Sequence, residues 1–196
     1  MLVSPNGFYR AYVEVEVVSF LEETDVPVPA CTNTSKLFLS EKGQEDFRLV
    51  YLEEPKKWSG GNGLRLADWS PDGDELLIEL FVWQYESDVF GKDILVYLPR
   101  HGIFRVLDYR WYQRRFQTFT GAPPDCSVEI SAIGFSPEGD IVVKAQPEID
   151  EEMYGTSCVQ EEGLWLLDPY GKTATPLPPD YKVKQYGKIE GHEPEE

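Results

Sequence analysis

Histidine is scarce in this sequence, and familiar catalytic motifs are missing. The chain has two histidines in 196 residues. His101 lies in a Pro-Arg-His-Gly segment and His192 in an acidic stretch, so neither is placed as the oriented base that a catalytic triad needs. The sequence also lacks the GxSxG nucleophile motif, the HExxH zinc motif and a glycine-rich phosphate loop. We therefore predict no catalytic residue and no metal centre.

Positive charge is in short supply as well. The chain has 18 Lys and Arg residues against 35 Asp and Glu residues, which gives a net charge of −17 at pH 7. Such a surface repels nucleic acid and anionic membranes and favours cationic partners or divalent cations. No run approaches the roughly 18 apolar residues of a membrane-spanning helix, and no signal segment is recognisable. We expect no nucleic-acid partner and no membrane insertion, and the compartment stays open between the cytosol and the exterior.

A four-residue turn motif that occurs three times is the main feature of the sequence. It is Ser-Pro-Asn-Gly at 4–7, Ser-Pro-Asp-Gly at 70–73 and Ser-Pro-Glu-Gly at 136–139, so the copies are 66 residues apart. Proline presets φ at the second position of a tight turn, and glycine accepts the left-handed conformation at its end. Each copy therefore predicts a β-hairpin.

The segments around each SPxG motif predict four strands per repeat, because they are rich in β-branched and aromatic residues. The repeat unit is strand, SPxG turn, strand, long loop, strand, glycine turn, strand. A four-stranded antiparallel sheet cannot bury its faces alone and must stack on copies of itself. We predict an all-β, β-propeller-like fold with three four-stranded antiparallel blades in one chain. The predicted domain spans residues 1–187, with repeats at about 1–55, 64–108 and 128–178.

Two segments fall outside this scheme. Only three residues precede the first turn motif, so the first blade lacks its opening strand. Residues 181–187 are predicted to supply that strand, with a solvated tail as the alternative, and residues 188–196 are predicted to be an acidic disordered tail. No helix is predicted, and residues 109–119 are compatible with an extra strand or a helical turn.

The stretch DWSPDGDELLIEL followed by DILVYLPRHGIFRVLD resembles the WD-like repeat of TolB-type β-propellers, and GFSPEGDIVVKA followed by GLWLLDPYGKTATPL is a second match. Propellers of this type act as protein-interaction modules, ligand-binding domains and non-catalytic domains of peptidases. The resemblance implies a non-enzymatic binding or scaffold module, periplasmic or secreted. The alternative is a hydrolase or ligand-binding enzyme with a site in the central channel. The chain departs from the family in having three repeats, where propellers have about four to eight blades.

The long loops between the second and third strands of the repeats form the predicted binding surface. Equivalent loops leave stacked repeats on the same side. Their acidic and aromatic residues suit a basic protein or Ca²⁺, although no DxDxDG spacing marks a calcium loop. The alternative is a set of ordinary solvated charges. The predicted binding residues are Glu22, Glu23, Asp25, Trp83, Tyr85, Glu86, Asp88, Asp150, Glu151, Glu152 and Tyr154.

Arginine and aromatic residues cluster in a second patch, at Arg110, Trp111, Arg114 and Arg115. This composition fits an interface hot spot. Three blades also leave outer faces that a second copy would cover, giving six blades about a twofold axis. We therefore predict a homodimer that uses this patch. The alternative for the patch is intramolecular, with the arginines paired to the acidic loops and the aromatic residues filling the gap between the second and third blades. The alternative to the dimer is a compact monomer in which the long loops and residues 109–128 cover the outer faces.

The three cysteines show no CxxC spacing, so a metal cluster or redox motif is not expected. Cys31 and Cys158 occupy equivalent positions in the first and third repeats. A disulfide between them would require those blades to be neighbours in an oxidising compartment. The alternative is that Cys31, Cys126 and Cys158 are all buried thiols. The segment Asn33-Thr34-Ser35 matches a glycosylation sequon.

Overall fold

The chain forms three antiparallel sheets and one helix. The computed structural model describes residues 1–22, 28–55, 60–83, 90–147, 155–168 and 173–191. In chain order, the elements are β1 (Leu2–Val3), β2 (Tyr9–Glu22), β3 (Val28–Glu41), β4 (Arg48–Glu53), β5 (Gly61–Trp69), β6 (Leu76–Trp83), β7 (Phe90–Leu98), β8 (Ile103–Leu107), α1 (Tyr109–Thr120), β9 (Glu129–Phe135), β10 (Ile141–Gln146), β11 (Gly163–Leu167), β12 (Ala174–Pro176) and β13 (Lys188–Ile189).

Each sheet is built around one SPxG hairpin. The first sheet has the order β13-β1-β2-β3-β4, the second β5-β6-β7-β8, and the third β12-β11-β10-β9. The predicted all-β class with three antiparallel sheets is confirmed. The prediction of four strands holds for the second and third sheets, whereas the first sheet has β13 as a fifth strand.

The serine of the SPxG motif fixes the geometry of the turn, and it is buried in all three copies. Its hydroxyl oxygen accepts a hydrogen bond from a backbone N–H beyond the turn. These bonds run from Tyr9 N to Ser4 Oγ at 2.9 Å, from Glu75 N to Ser70 Oγ at 2.9 Å, and from Asp140 N to Ser136 Oγ at 3.2 Å. The glycines of the motif have φ between 68° and 93°, which favours a residue without Cβ. The serine therefore satisfies a buried backbone donor that the turn would otherwise leave unbonded.

The third turn is one residue shorter than the other two. In the first two turns the serine N–H donates to the carbonyl oxygen five residues later, whereas in the third it donates to Asp140, four residues later. Leu77 is therefore structurally equivalent to Val142, although a constant spacing of 66 residues would match it to Val143. This shift decides which side chains of the third sheet face the second.

The second sheet lies between the other two and is buried on both faces. Along β6, Leu76, Ile78 and Leu80 belong to the core shared with the first sheet, while Leu77 belongs to the core shared with the third sheet. A strand that is covered on both sides needs apolar residues at successive positions rather than in alternation. This requirement explains the run LLIEL at 76–80.

The acidic residue in that run, Glu79, joins the second and third sheets. Its side chain is 1% exposed and forms an ion pair with Arg65, whose Nε donates to Glu79 Oε2 at 2.7 Å. Glu79 also accepts the backbone N–H of Ala132 in β9 at 2.5 Å, and Arg65 donates to the carbonyl oxygen of Ala132 at 2.7 Å. The buried charge is therefore both paired and hydrogen-bonded, as burial requires.

The C-terminal segment ties the first sheet to the other two. β13 pairs with β1, and Leu2 is opposite Ile189. Just before β13, the N–H groups of Tyr186 and Gly187 donate to the carboxylate of Asp68 at 3.2 and 2.7 Å. Asp68 is fully buried at the end of β5. Burial raises the pKa of Asp68, although hydrogen bonds from the backbone N–H groups act in the opposite direction.

The predicted closing strand is wrong in position. The C-terminal segment does complete the first sheet, but the strand is Lys188–Ile189 and not residues 181–187. These two residues also lie in the range that was predicted as a disordered tail. The reason is Asp68, because N–H groups at 186 and 187 that donate to its carboxylate are unavailable to a neighbouring strand.

Residues 109–119, which were left open between an extra strand and a helical turn, are helical, since α1 connects the second and third sheets. Asp108 caps its N-terminus by accepting the N–H of Trp111 at 2.7 Å. Gly121 ends the helix in the left-handed conformation, with φ of 71°. Tyr112 and Phe116, four residues apart, lie on one face of the helix and are buried in the core between these two sheets.

The disulfide joins Cys126 to Cys158, so the Cys31–Cys158 alternative and the buried-thiol alternative for these two residues are both wrong. Both sulfurs lie in the core between the second and third sheets. Next to them, Ser127 and Ser157 form an isolated parallel bridge. Repeat equivalence did not predict this pairing because Cys126 lies in the connection between α1 and β9, which has no counterpart in the first repeat.

Replacing Asp68 with alanine is expected to release the C-terminal segment. We expect the free energy of unfolding to fall by about 1–3 kcal/mol, because several buried N–H groups lose their acceptor. Urea denaturation measures this loss, and hydrogen exchange is expected to accelerate at Val3 and Lys188, which are directly opposite each other in the β1–β13 pair. The control Asp180→Ala, at an exposed site in the same segment, is expected to change stability by less than about 0.5 kcal/mol. Unchanged exchange in Asp68→Ala would contradict this role.

Removing the disulfide with the double change Cys126→Ala and Cys158→Ala is expected to lower the free energy of unfolding by about 3–4 kcal/mol. The sequence separation of the two cysteines is 32, and a loop of that length gives this loss in the chain-entropy account. Thermal unfolding with and without reductant measures the effect. Cys31→Ser is the control, and it should keep the sensitivity to reductant. A wild-type protein whose thermal unfolding is unchanged by reductant would refute the pairing.

Candidate functional site

The three SPxG turns lie together at one end of the molecule. The side chain of Asn6 in the first turn donates to the carbonyl oxygen of Asp72 in the second at 2.8 Å. The second and third turns border one groove of about 480 Å³, which is lined by Asp72 and Glu138 among others. Because β2, β6 and β10 begin at these turns, the connections that follow them start away from this end.

The prediction of a long loop in every repeat is wrong for the first two, because β2 pairs with β3 as far as Glu22 and Val28, and β6 pairs with β7 as far as Trp83 and Phe90. The connection after β10 is the long one.

Most of the predicted binding residues lie outside the described residues. They are Glu23, Asp25, Tyr85, Glu86, Asp88, Asp150, Glu151, Glu152 and Tyr154. Glu22 is the last residue of β2, where the structure describes the backbone but not the side chain. Trp83 is the predicted binding residue whose side chain the structure places.

Trp83 ends β6 opposite Gly61 of β5, and its indole ring covers bare backbone. A methyl group added at Gly61 would lie 2.6 Å from a carbon of the ring, and one added at Gly63 would lie 3.6 Å away. The ring is only partly buried, so it presents an aromatic surface at the end of β6. The signal in the sequence is the pair of glycines within a strand, which marks a close approach of another group.

Asn62, between these glycines, links the first and second sheets. Its side-chain amide donates to the carbonyl oxygen of Asn33 in β3 at 2.9 Å. The hydroxyl of Ser35 donates to the carbonyl oxygen of Asn62 at 3.3 Å. The amide of Asn33 donates back to the carbonyl oxygen of Asn62 at 3.4 Å. The predicted sequon therefore lies within a paired strand and takes part in the junction between sheets.

A polar cluster lies at the junction of the second and third sheets. Lys92 of β7, with its side chain 10% exposed, is 3.7 Å from a carboxylate oxygen of Glu129 and donates to Ser131 Oγ at 3.2 Å. Gln146, the last residue of β10, donates to the same carboxylate at 2.6 Å. These contacts fix the end of β10 before the long connection leaves the third sheet.

The end of the molecule that carries the SPxG turns has two shallow grooves, and Arg100 lines both of them. This side chain pairs with Asp74 at 3.0 Å and lines both the 480 Å³ groove and a groove of about 470 Å³ between the first and second sheets. Burial raises the pKa of Asp72, but hydrogen bonds from the Ser70 hydroxyl and the backbone of Asp74 outweigh it, so the pKa is lowered. Asp72 is therefore an ionised turn residue with a structural role.

In the arginine and aromatic patch, some side chains are exposed and others are packed against the core. Arg110 and Arg114 are exposed on α1, while Trp111 packs against the core. The guanidinium of Arg115 lies 3.2 Å from the centre of the Trp111 ring and donates to the Trp111 carbonyl oxygen at 2.8 Å. As the intramolecular alternative predicted, aromatic residues of α1, including Phe116, fill the gap between the second and third sheets.

Two nearby arginines pair within the second sheet's own turns. Arg105 is 2.9 Å from a carboxylate oxygen of Glu75, and Arg100 pairs with Asp74 as described above. Both acids follow the second SPxG motif, so these ion pairs involve the turn end and not the long loops.

The described ranges contain no group of three or more His, Cys, Asp or Glu side chains placed to hold a metal ion. Over the same ranges, no helix is long and apolar enough to cross a membrane. Comparison of the chain with protein-family models, curated proteins and solved structures finds no match.

Proposed function

We propose that the protein is a non-enzymatic binding or scaffold module whose three sheets are arranged like the blades of a TolB-type propeller. The observation that carries the proposal is the regular stacking of three equivalent sheets with their SPxG turns at one end. The connections after β2, β6 and β10 start at the other end. A rigid stack that presents several loops on one side is a common scaffold for a binding surface.

The inner edges of the sheets support the propeller-like arrangement. Leu2, Asp68 and Gly134 each stand two residues before an SPxG motif, so they are equivalent. A methyl group added at Gly187 would lie 2.9 Å from Leu2 Cδ1 and 3.1 Å from Asp68 Oδ1, and one added at Gly134 would lie 3.1 Å from Asp68 Oδ2. Equivalent positions of blades converge in this way near the axis of a propeller.

The C-terminal segment also weighs against the alternative of an enzyme with a site in the central channel. Such a site needs open space between the inner strands. A methyl group added at Gly134 would lie 3.5 Å from Val183 Cγ1, and the backbone at Tyr186 is hydrogen-bonded to Asp68. The segment thus occupies the inner edges of the second and third sheets, and we favour binding at the loop end.

The proposed partner is a basic protein. The net charge of −17 favours cationic partners, and the sequence has acidic residues in the connections that follow β2, β6 and β10. The partly exposed ring of Trp83 provides apolar contact area at the end of β6. The Cys126–Cys158 disulfide favours an oxidising compartment, so the proposal places the protein in the periplasm or outside the cell.

Neutralising the loop acids tests this surface. In the variant Glu86→Gln, Asp88→Asn, Asp150→Asn, Glu151→Gln, we expect the affinity for a lysine-rich peptide to fall at least about tenfold, or about 1.4 kcal/mol. The physical reason is the loss of four charge contacts, each worth a fraction of a kcal/mol at an exposed site. Fluorescence anisotropy with a labelled peptide at physiological ionic strength measures the affinity.

The matched control removes the same amount of charge elsewhere, at exposed acids outside the loops. Its changes are Glu45→Gln, Asp46→Asn, Glu138→Gln and Asp180→Asn. We expect the affinity of this control to stay within about twofold of the wild type, because a twofold change is about 0.4 kcal/mol. An equal loss in both variants would show general charge attraction, and unchanged affinity in the loop variant would show that the loops do not bind. Either result would refute the proposed surface.

A further inference from the structure

Each sheet has two kinds of face, and the SPxG turns make these faces comparable between repeats. Equivalent positions are counted from the residue whose carbonyl oxygen accepts the N–H of the SPxG serine. This residue is Tyr9 in the first repeat, Glu75 in the second and Asp140 in the third. The residues that define one face are Tyr12, Ile78 and Val143. The residues that define the other face are Ala11, Leu77 and Val142. We call these the Ile78 face and the Leu77 face of each sheet.

Both junctions between sheets follow one rule. In the first junction, the Leu77 face of the first sheet, which carries Ala11 and Leu39, packs against the Ile78 face of the second. In the second junction, the Leu77 face of the second sheet packs against the Ile78 face of the third, which carries Val143. The sheets are therefore stacked in one sense, and each kind of face has the other kind as its neighbour.

The first sheet has an Ile78 face on its outer side. The Tyr12 ring stacks on Phe38 with centroids 4.9 Å apart and meets Phe47 edge-on at 4.9 Å. Beside these rings, Leu49 and Leu52 of β4 are 48% and 43% exposed. Within the described part of the chain, neither core includes residues of both the first and the third sheet. The same face carries Lys36, which lies opposite Leu52 and pairs with Glu14 at 3.7 Å and with Glu16 at 2.8 Å. An apolar patch bordered by such paired charges is of the kind that marks an interaction site.

The third sheet has a Leu77 face on its outer side. Leu164 and Leu166 of β11 lie on this face, opposite Lys144 and Val142 of β10. Val142 is already fully buried within the chain, so the accessible apolar surface of this face is at the two leucines. Both leucines are partly exposed. The ammonium group of Lys144 is 2.9 Å from a carboxylate oxygen of Glu162, so the charge on this face is already paired. An apolar face with a paired charge at its margin is able to pack against another sheet at a lower desolvation cost than an unpaired one.

We propose that two copies of this chain associate about a twofold axis, with the first sheet of each copy packed against the third sheet of the other. In this contact an Ile78 face packs against a Leu77 face, as at the two internal junctions, and both outer faces are covered. It produces a closed ring of six sheets, within the range of about four to eight blades that propellers have. The proposal rests on the propeller-like arrangement proposed above, but not on the acidic loop surface.

The proposed interface is different from the patch predicted around Trp111 and Arg114. α1 packs against the core of the second and third sheets, so it does not lie on either of the two outer sheet faces. Substitutions on α1 therefore distinguish the two possible interfaces.

Light scattering at micromolar concentration measures the assembly. We expect twice the chain mass of 22.4 kDa for the wild type. The double variant Leu49→Glu with Leu52→Glu is expected to have the mass of one chain, because the two changes in each copy place four carboxylates in the two contacts of the ring. The matched control is Ile103→Glu with Val106→Glu on β8, where the residues are 57% and 54% exposed. This control and Trp111→Ala with Arg114→Glu are expected to stay dimeric. A monomeric wild type, or a dimer that only the α1 variant disrupts, would overturn the proposal.

Cross-linking tests the geometry independently of the glutamate variants, which matters if those variants unfold. In a Cys31→Ser background, Leu49→Cys protein is mixed with Leu166→Cys protein and treated with a short bismaleimide. We expect cross-links between the two different proteins, and far fewer within either protein alone. Predominant Leu49→Cys cross-links with itself would show that first sheets pack together and would also overturn the proposal. Peptide affinity is measured separately, so failure of the dimer and failure of the loop surface are distinguishable.

Discussion

A β-sheet that is apolar on both faces must be covered on both faces, and the second sheet imposes this requirement on the whole molecule. Its strand β6 carries Leu76 and Ile78 toward one neighbour and Leu77 toward the other. Each square ångström of apolar surface removed from water contributes about 25 cal/mol. The other two sheets must therefore stack on it from opposite sides. Glu79 fits this constraint because Arg65 and the backbone of Ala132 satisfy its buried carboxylate.

The features that the sequence predicted correctly are those encoded by local chemistry. Proline and glycine in the SPxG motif restrict the backbone within four residues, so the three hairpins and the all-β class follow from the motif and from the β-branched runs beside it. The segment of the helix was left open between a strand and a helical turn because its Tyr, Trp and Phe residues are also typical of strands. Its signals were present in Asp108 as a cap, Gly121 as a terminator and the four-residue spacing of Tyr112 and Phe116.

Other features depend on contacts between distant residues, and the sequence pattern carried little information about them. The position of β13 is decided by Asp68, which lies more than a hundred positions earlier in the chain. The disulfide partner of Cys158 lies in an irregular connection, where repeat equivalence gives no guidance. At the candidate site, the residue type of Trp83 indicated a surface role. The backbone surface on which the ring packs was indicated in the sequence only by Gly61 and Gly63, whose missing side chains leave room for the ring.

The pairing of β1 with β13 means that the two ends of the described chain meet. The N-terminal ammonium group donates to the carbonyl oxygen of Glu190 at 3.3 Å, across a sequence separation of 189. A contact this distant makes folding slow relative to local hairpins, because the intervening chain must be ordered first. On a ribosome that adds about 5–20 residues per second, roughly ten to forty seconds separate the synthesis of the two strands. The first sheet is thus the first to be made and the last to be completed, and its inner edge stays open to other chains during that interval.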